Sequence, residues 1–205
     1  MSEREYWLGF SLFSGIGPKR FHRLISHFGS AKSAWMADTL TLSEVLGQVL
    51  SAKFETFRKK TSIEAYLGRL SRKKVGFITR NDVAYPLILA KIPTAPFVLY
   101  IKSSAPFDFN ALNPTIAIVG TRKITSYGRE VTEQFTQGLV LGGCSIVSGL
   151  ALGVDAVAHA TTVENKGITI AVLGCGVDCC TPMENEGLYN RILASGGAII
   201  SEVPM

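Results

Sequence analysis

The chain predicts an α/β fold, a doubly wound parallel sheet preceded by a small all-helical domain. Three observations carry this prediction. From Thr115 onward, short apolar runs alternate with segments of helical spacing. The runs are apolar throughout, which fits strands covered on both faces. Before Ser71, by contrast, apolar residues recur at helical intervals. A composition of 47% hydrophobic and 18% charged residues excludes wholesale disorder. No apolar run approaches the ~20 residues of a membrane-spanning helix. The opening MSEREYW carries acids and no long apolar stretch, so no secretory signal is expected and the cytoplasm is the expected compartment. Four cysteines (Cys144, Cys175, Cys179, Cys180) are too few for a disulfide scaffold.

The elements follow in order. Tyr6 to Phe13 is a short apolar segment, and Phe21, Leu24, Ile25 and Phe28 share a helix face that Gly29 ends. Ala31 to Met36 is a further short helix. Leu42, Val45, Leu46, Val49 and Leu50 form one stripe that Phe54 and Phe57 extend, and Ile63 to Leu70 is the last helix of the domain, 1–72. Texture changes near Ser71. Val75–Thr79 and Phe97–Ile101 are β-rich, and Pro86 biases Tyr85 away from helix. Ser103 to Pro114 reads as a linker. In the second domain, 73–205, the expected strands are Thr115–Val119, Ser145–Ser148, Ile168–Leu173 and Ala198–Ser201. The helices between them are Ser126–Leu141, with Val131, Phe135, Leu139 and Val140 in register, then Val154–Glu164 and Glu186–Ala194. No repeat interrupts the pattern.

Charge is graded along the chain. Residues 1–74 hold 13 Lys/Arg against 6 Asp/Glu, while residues 113–205 hold 5 against 8. A basic front beside an acidic remainder suggests a polyanion-facing module, or merely a Lys-rich solvated helical surface.

In sheets of this class, ligands sit beyond the carboxyl ends of the strands. Two loops there stand out. Gly120-Thr121-Arg122 follows the first strand of the second domain. Gly120 permits close backbone approach, Thr121 offers a hydroxyl, and Arg122 offers a planar donor fork suited to phosphate. Ser148-Gly149-Leu150-Ala151-Leu152-Gly153 follows the second strand and leads into a helix start, itself an anion site. Gly149 and Gly153 sit where backbone approaches a ligand or turns sharply. Taken singly, Gly120 and Gly149 read as ordinary strand-to-helix turns and Arg122 as a surface charge; together they point to phosphate. Neither GxGxxG nor GxxxxGK[ST] is present.

Asp155 suits a helix cap, and His159 one turn later could serve acid–base work or simply pack at a core edge. Cys175, Cys179 and Cys180 lack the further ligands that zinc needs, so no metal and no cofactor are expected. In the helical front, Gly15-Ile16-Gly17 can aim backbone N–H groups at a nucleic-acid phosphate, with Lys19, Arg20 and Arg23 adding charge. It reads equally as a tight interhelical turn that needs glycine for positive φ.

These residues resemble the DNA-processing protein A (DprA/Smf) family. The resemblance runs through Ile118-Val119-Gly120-Thr121-Arg122, Ser126-Tyr127-Gly128 and Ser148 to Asp155 with Ala158-His159. It continues through Thr169 to Asp178, Pro182, Asn185, Leu188 and Ser201-Glu202-Val203-Pro204, with Asp82, Tyr85-Pro86, Leu89 and Pro96 to Tyr100 as lead-in. It implies a SAM-like or helix-hairpin-helix front domain and an extended Rossmann-like domain. It also implies a non-enzymatic function: binding single-stranded DNA and loading the RecA recombinase in natural transformation and recombination. The implied DNA site is Gly120, Thr121, Arg122, Ser148, Gly149 and Gly153, with a secondary contact at Gly15, Gly17, Lys19 and Arg20. A homodimer is implied for the complete protein, and no membrane association.

Two departures qualify the resemblance. Thr181 stands before Pro182 where the family usually has an aromatic, which puts a stacking contact in doubt. The chain also stops at Met205, before further strands that family members carry, so it reads as a truncated member or fragment, incomplete at its C-terminal side. The competing functions are a nucleotide-processing enzyme, with Asp155 and His159 as first suspects, or an inactive fragment.

Overall fold

The computed structural model describes residues 1–112 and 114–205, which form two compact units, Met1–Leu99 and Tyr100–Met205. In the first unit, α1 (Glu3–Ser11), α2 (Pro18–Phe28), α3 (Ala31–Met36), α4 (Thr39–Leu46), α5 (Gln48–Lys60) and α6 (Ile63–Arg72) follow one another closely. Their boundaries are set by local chemistry. Ser30, Asp38 and Ser62 each accept a backbone N–H at a helix start, from Ser33, Thr41 and Ala65. Gly29 ends α2 in the left-handed region at φ 78°, as its position after the Phe28 stripe predicts. The Glu3 carboxylate accepts the N–H groups of Ala31 and Lys32, so α1 caps α3 from a distance.

The stripe from Leu42 to Phe57 is two helices, not one. Gly47, at φ 79° and ψ 157°, breaks it into α4 and α5, a conformation that side-chain-bearing residues rarely adopt. The core is aromatic. The Phe10 and Phe54 rings stack at 5.1 Å, and Trp35 meets Phe54 edge-on at 5.3 Å.

The helical segment ends at Arg72, and the compact unit continues to Leu99. The cause is Phe97, whose ring stacks on Phe21 at 4.1 Å and tilts against Trp7 at 6.5 Å. Arg4 adds an ion pair to Asp82 at 2.9 Å and sits over the Phe77 ring at 4.5 Å. The segment therefore packs as part of the helical unit, with β1 (Gly76–Thr79), α7 (Leu87–Ala90) and the first residues of β2 (Val98–Ser103). A helix of four residues is too short to show a period, so α7 was not foreseen.

The second unit carries the remainder of β2 with β3 (Thr115–Ala117), β4 (Ser145–Ser148), β5 (Thr169–Val172) and β6 (Ala198–Ser201). Their hydrogen-bonded order is β2-β6-β5-β4-β3. Between them run α8 (Ser126–Leu141), α9 (Val154–Glu164), a 3₁₀ turn (Met183–Asn185) and α10 (Glu186–Ala194). Asn113, within the expected linker, lies outside the described residues.

The α/β class stands, with two corrections of detail. The sheet is mixed, because β2 runs antiparallel to β6 with Tyr100 opposite Ser201. The four parallel strands also lie side by side in chain order, so right-handed crossovers place α8, α9 and α10 on one face. Contacts of α8 with α9 and of α9 with α10 agree. Strand residues under these helices, Ile146, Ala171 and Ile199, are fully buried. On the opposite face Val172 is 43% exposed, and Val119, just past β3, is 75% exposed. The described residues of this unit supply no second helix layer.

The face that α8 buries also differs from expectation. Thr132 and Thr136 are inside, whereas Phe135 is 69% exposed. The small residues let α8 lie close to α9 and β4; of the expected stripe, Phe135 turns outward while Val131, Leu139 and Val140 are half-buried. Among the described residues no helix is long and apolar enough to cross a membrane.

Candidate functional site

Parallel strands β3, β4 and β5 end at the same edge, so the segments leaving them converge. They enclose a cleft of about 380 Å³ walled by Arg122, Gly149, Ala151, Leu152, Leu173, Gly174, Cys175, Thr181 and Pro182. Of the sequence-predicted residues, Arg122 and Gly149 reach this cleft. Gly120, Thr121, Ser148 and Gly153 stand behind it and fix the loops.

Each of those four has a structural partner. A Cβ on Gly120 would lie 2.6 Å from Val154 Cγ2, so that glycine makes room for α9 rather than for a ligand. The Thr121 hydroxyl accepts the N–H of Lys123 at 3.1 Å, closing a local turn. Ser148 is buried and donates its hydroxyl to the Ile118 carbonyl at 2.7 Å, tying the end of β4 to the chain leaving β3. Gly153 has φ 83°, and a Cβ there would meet the carbonyls of Thr121 and Arg122. The N–H of Val154 donates to the Thr121 carbonyl at 3.1 Å, so the two glycine loops are welded together.

Two backbone donors of the second loop are already used. The Asp155 carboxylate accepts from Gly149 N at 3.1 Å and from Ala151 N at 3.4 Å. Asp155 thus caps the loop preceding its own helix, and its carboxylate takes the place of a ligand anion at those two N–H groups. Leu150, between them, is fully buried in the left-handed region at φ 57°. Its carbonyl accepts Nδ2 of buried Asn185 at 2.8 Å. Neither the backbone of Leu150 nor the role of Asn185 was read from the sequence. We expect Asn185→Ala to leave that carbonyl without a donor and to cost ~1–3 kcal/mol. Urea denaturation followed by far-UV circular dichroism checks this, and a change below about 0.5 kcal/mol would show that the loop holds itself.

The free donor at the cleft is Arg122. It is exposed, and its guanidinium has no partner among the described residues. Lys123 beside it is exposed too, while Arg129 is paired with Glu133 at 3.7 Å. Much of the remaining lining is apolar, from Ala151, Leu152, Leu173 and Pro182. Thr181 also lines the cleft, preceded by an anchored loop. That anchor is Tyr189, whose hydroxyl donates to the Val177 carbonyl at 2.6 Å; burial, with the nearby thiols and Asp178, pushes it up to about 12.

His159 is fully buried, with Nδ1 2.7 Å from the Thr169 hydroxyl. That hydroxyl donates to the Ile146 carbonyl at 2.9 Å, so Nδ1 is assigned as the protonated nitrogen. Burial pushes the imidazole down to about 4, against the pull of Asp155. Among the described residues no three His, Cys, Asp or Glu side chains are placed to hold a metal ion.

In the helical unit, Gly15 packs where a Cβ would lie 2.7 Å from Leu50 Cδ1, and its carbonyl accepts Arg20 Nη1 at 3.0 Å. Gly17 starts α2 at φ −87° with open space around it. Neither glycine needs positive φ; Gly15 is there for space. Lys19 and Arg20 are exposed on the first turn of α2.

The family pattern described as DNA recombination-mediator protein A matches residues 76–205. Protein Smf of Synechocystis is 38% identical over 207 residues, covering all of this chain and 52% of the relative. The chain spans about half the length of the curated relatives it matches. The X-ray structure of DNA processing protein A from Streptococcus pneumoniae is similar at TM-score 0.75 and 27% identity, over 96% of this chain and 65% of that one. DNA processing protein A from Helicobacter pylori, described for its unique single-stranded DNA binding mode, matches at TM-score 0.53 and 27% identity, over 64% of this chain and 57% of that one.

Proposed function

Because the chain belongs to the DNA recombination-mediator protein A family, we propose that it binds single-stranded DNA at the cleft beyond β3, β4 and β5. The observation that carries this is Arg122, an exposed, unpaired guanidinium on a loop fastened from behind by Gly153 and Val154. A guanidinium takes a phosphate by paired charge-assisted hydrogen bonds. The apolar lining suits the face of a base, which has no need of sequence-specific donors. Gly120, Thr121, Ser148 and Gly153 shape this site from behind rather than touching the strand. The basic turn at Gly15, Gly17, Lys19 and Arg20 adds a secondary, salt-sensitive contact.

Arg122→Ala should weaken binding of labelled oligo-dT by ~1–3 kcal/mol in fluorescence anisotropy at fixed salt. Arg122→Lys, which keeps charge but loses the fork, should fall between the two. Full affinity in a folded Arg122→Ala protein would refute the placement.

The role is binding rather than catalysis. Asp155 is committed to the loop N–H groups and His159 is buried, so neither is offered to a substrate. The bound strand is handed to the RecA recombinase, in DNA processing that serves natural transformation and recombination in the cytoplasm. A complex of the chain with oligo-dT that RecA shifts further in a native gel supports the handover, and an unshifted complex counts against it.

A further inference from the structure

The segment that closes the cleft on the β5 side carries three thiols, Cys175, Cys179 and Cys180, in six residues. Cys175 is half-buried in the cleft wall, on the same surface as Arg122. Cys179 is exposed. A turn brings them together: Cys179 N donates to the Gly176 carbonyl at 3.0 Å, and the Cys175 thiol points at the Cys179 carbonyl at 3.7 Å. The Cys180 thiol lies on the Pro182 carbonyl at 3.4 Å, and burial, with Glu186 and Cys175, pushes its pKa up. Cys144 lies at the start of β4, remote in sequence from this turn.

We propose that Cys175 and Cys179 form a peroxide-responsive thiol–disulfide site in the cleft wall, with Cys175 as the attacking thiol and Cys179 as the resolving one. The thiolate is the nucleophilic form of a cysteine, and the cleft gives peroxide access to Cys175. Its sulfur attacks one oxygen of hydrogen peroxide, the O–O bond breaks, and the departing hydroxide takes a proton to become water. Cys175 is left as a sulfenic acid. The Cys179 thiol, which donates to Asp178 Oδ1 at 3.9 Å, gives its proton to that carboxylate and attacks the Cys175 sulfur. The S–O bond breaks, hydroxide leaves and recovers the proton as a second water, and the disulfide remains. Peroxide supplies both oxidising equivalents. Tyr189 anchors the middle of the loop through Val177, so closing the bond draws the Cys175 end of the wall toward the turn. The effect on DNA rests on the binding reading above; the thiol chemistry does not.

The test treats the whole chain with hydrogen peroxide, blocks free thiols, and maps peptides without reduction. A Cys175–Cys179 bond should form in the native chain and in Cys180→Ser. In Cys179→Ser a sulfenic acid on Cys175 should instead be trapped by a cyclic 1,3-diketone. A bond that uses Cys180 or Cys144, or no bond at all, overturns the proposal. Oligo-dT binding is then measured on reduced, oxidised and re-reduced protein, with a several-fold loss expected on oxidation and recovery on reduction. Equal affinity of reduced and oxidised protein overturns the coupling to the cleft. If the bond forms but even reduced protein ignores oligo-dT, the DNA reading fails and the thiol site stands.

Discussion

Gly153→Ala is expected to cost the second unit roughly 2–6 kcal/mol, the sum of ~1–3 kcal/mol of backbone strain and ~1–3 kcal/mol of overpacking. Two independent faults coincide there. The backbone sits at φ 83° and ψ −127°, a region open essentially to glycine alone. The added methyl would also point at backbone, the Thr121 carbonyl and the Arg122 carbonyl carbon at 2.8 Å, rather than at a side chain that can swing aside. Relief requires parting the two loops and breaking the bond from Val154 N to the Thr121 carbonyl, which also moves Arg122. Oligo-dT affinity should therefore fall with stability. Hydrogen exchange at the amides of β4 and β5 measures the loss. Protection unchanged from the native chain would mean that the loops separate freely.

Acidification is expected to remove about 3 kcal/mol from the same unit between pH 6.5 and pH 4, through His159 alone. The folded value, about 4, lies below the ordinary 6.5 because the ring is buried. Above pH 6.5 the imidazole is neutral in both folded and unfolded chains, and its contribution is complete. As pH falls through 6.5 the unfolded chain takes up a proton that the folded chain refuses, and stability declines until the folded value is reached. The slope should approach ~1.4 kcal/mol per pH unit. Asp38 and Glu55, whose carboxyls are lowered from 3.8 and 4.5, belong to the other unit, and Glu55 begins to act only at the acid end of this window. His159→Gln should flatten the profile between pH 4 and 6.5, even if it lowers stability at pH 7. A wild-type profile already flat there would show that the ring is protonated in the fold.

The loops were legible in the sequence because each glycine segment follows directly on an apolar strand, and parallel strands bring their carboxyl ends together. The division of labour among their residues was not. Gly149 looked like an anion donor because its partner, the Asp155 carboxylate, can equally cap a helix, and only coordinates decide which N–H groups it takes. Asn185 holds Leu150 across 35 residues, a pairing that no periodicity reports. Gly47 breaks a stripe that stays in helical register on both sides, so the pattern alone runs through it. The unit boundary at Leu99 depends on Phe97 meeting Phe21, a long-range ring contact that a change in local texture does not signal. The outward side of α8 escaped for a related reason, because its buried residues are threonines chosen for size.

The aromatic core of the helical unit has an optical consequence. The chain has two tryptophans, Trp7 and Trp35, and both belong to that unit, in ring contact with Phe21 and Phe54 respectively. Indole emission is therefore a local instrument, blind to the sheet that bears the cleft. A denaturation curve recorded by fluorescence and one recorded by exchange at β4 and β5 are separate channels on separate units. Superimposed midpoints would identify a single cooperative block. Divergent midpoints would let each unit's free energy be read from one sample, without cutting the chain.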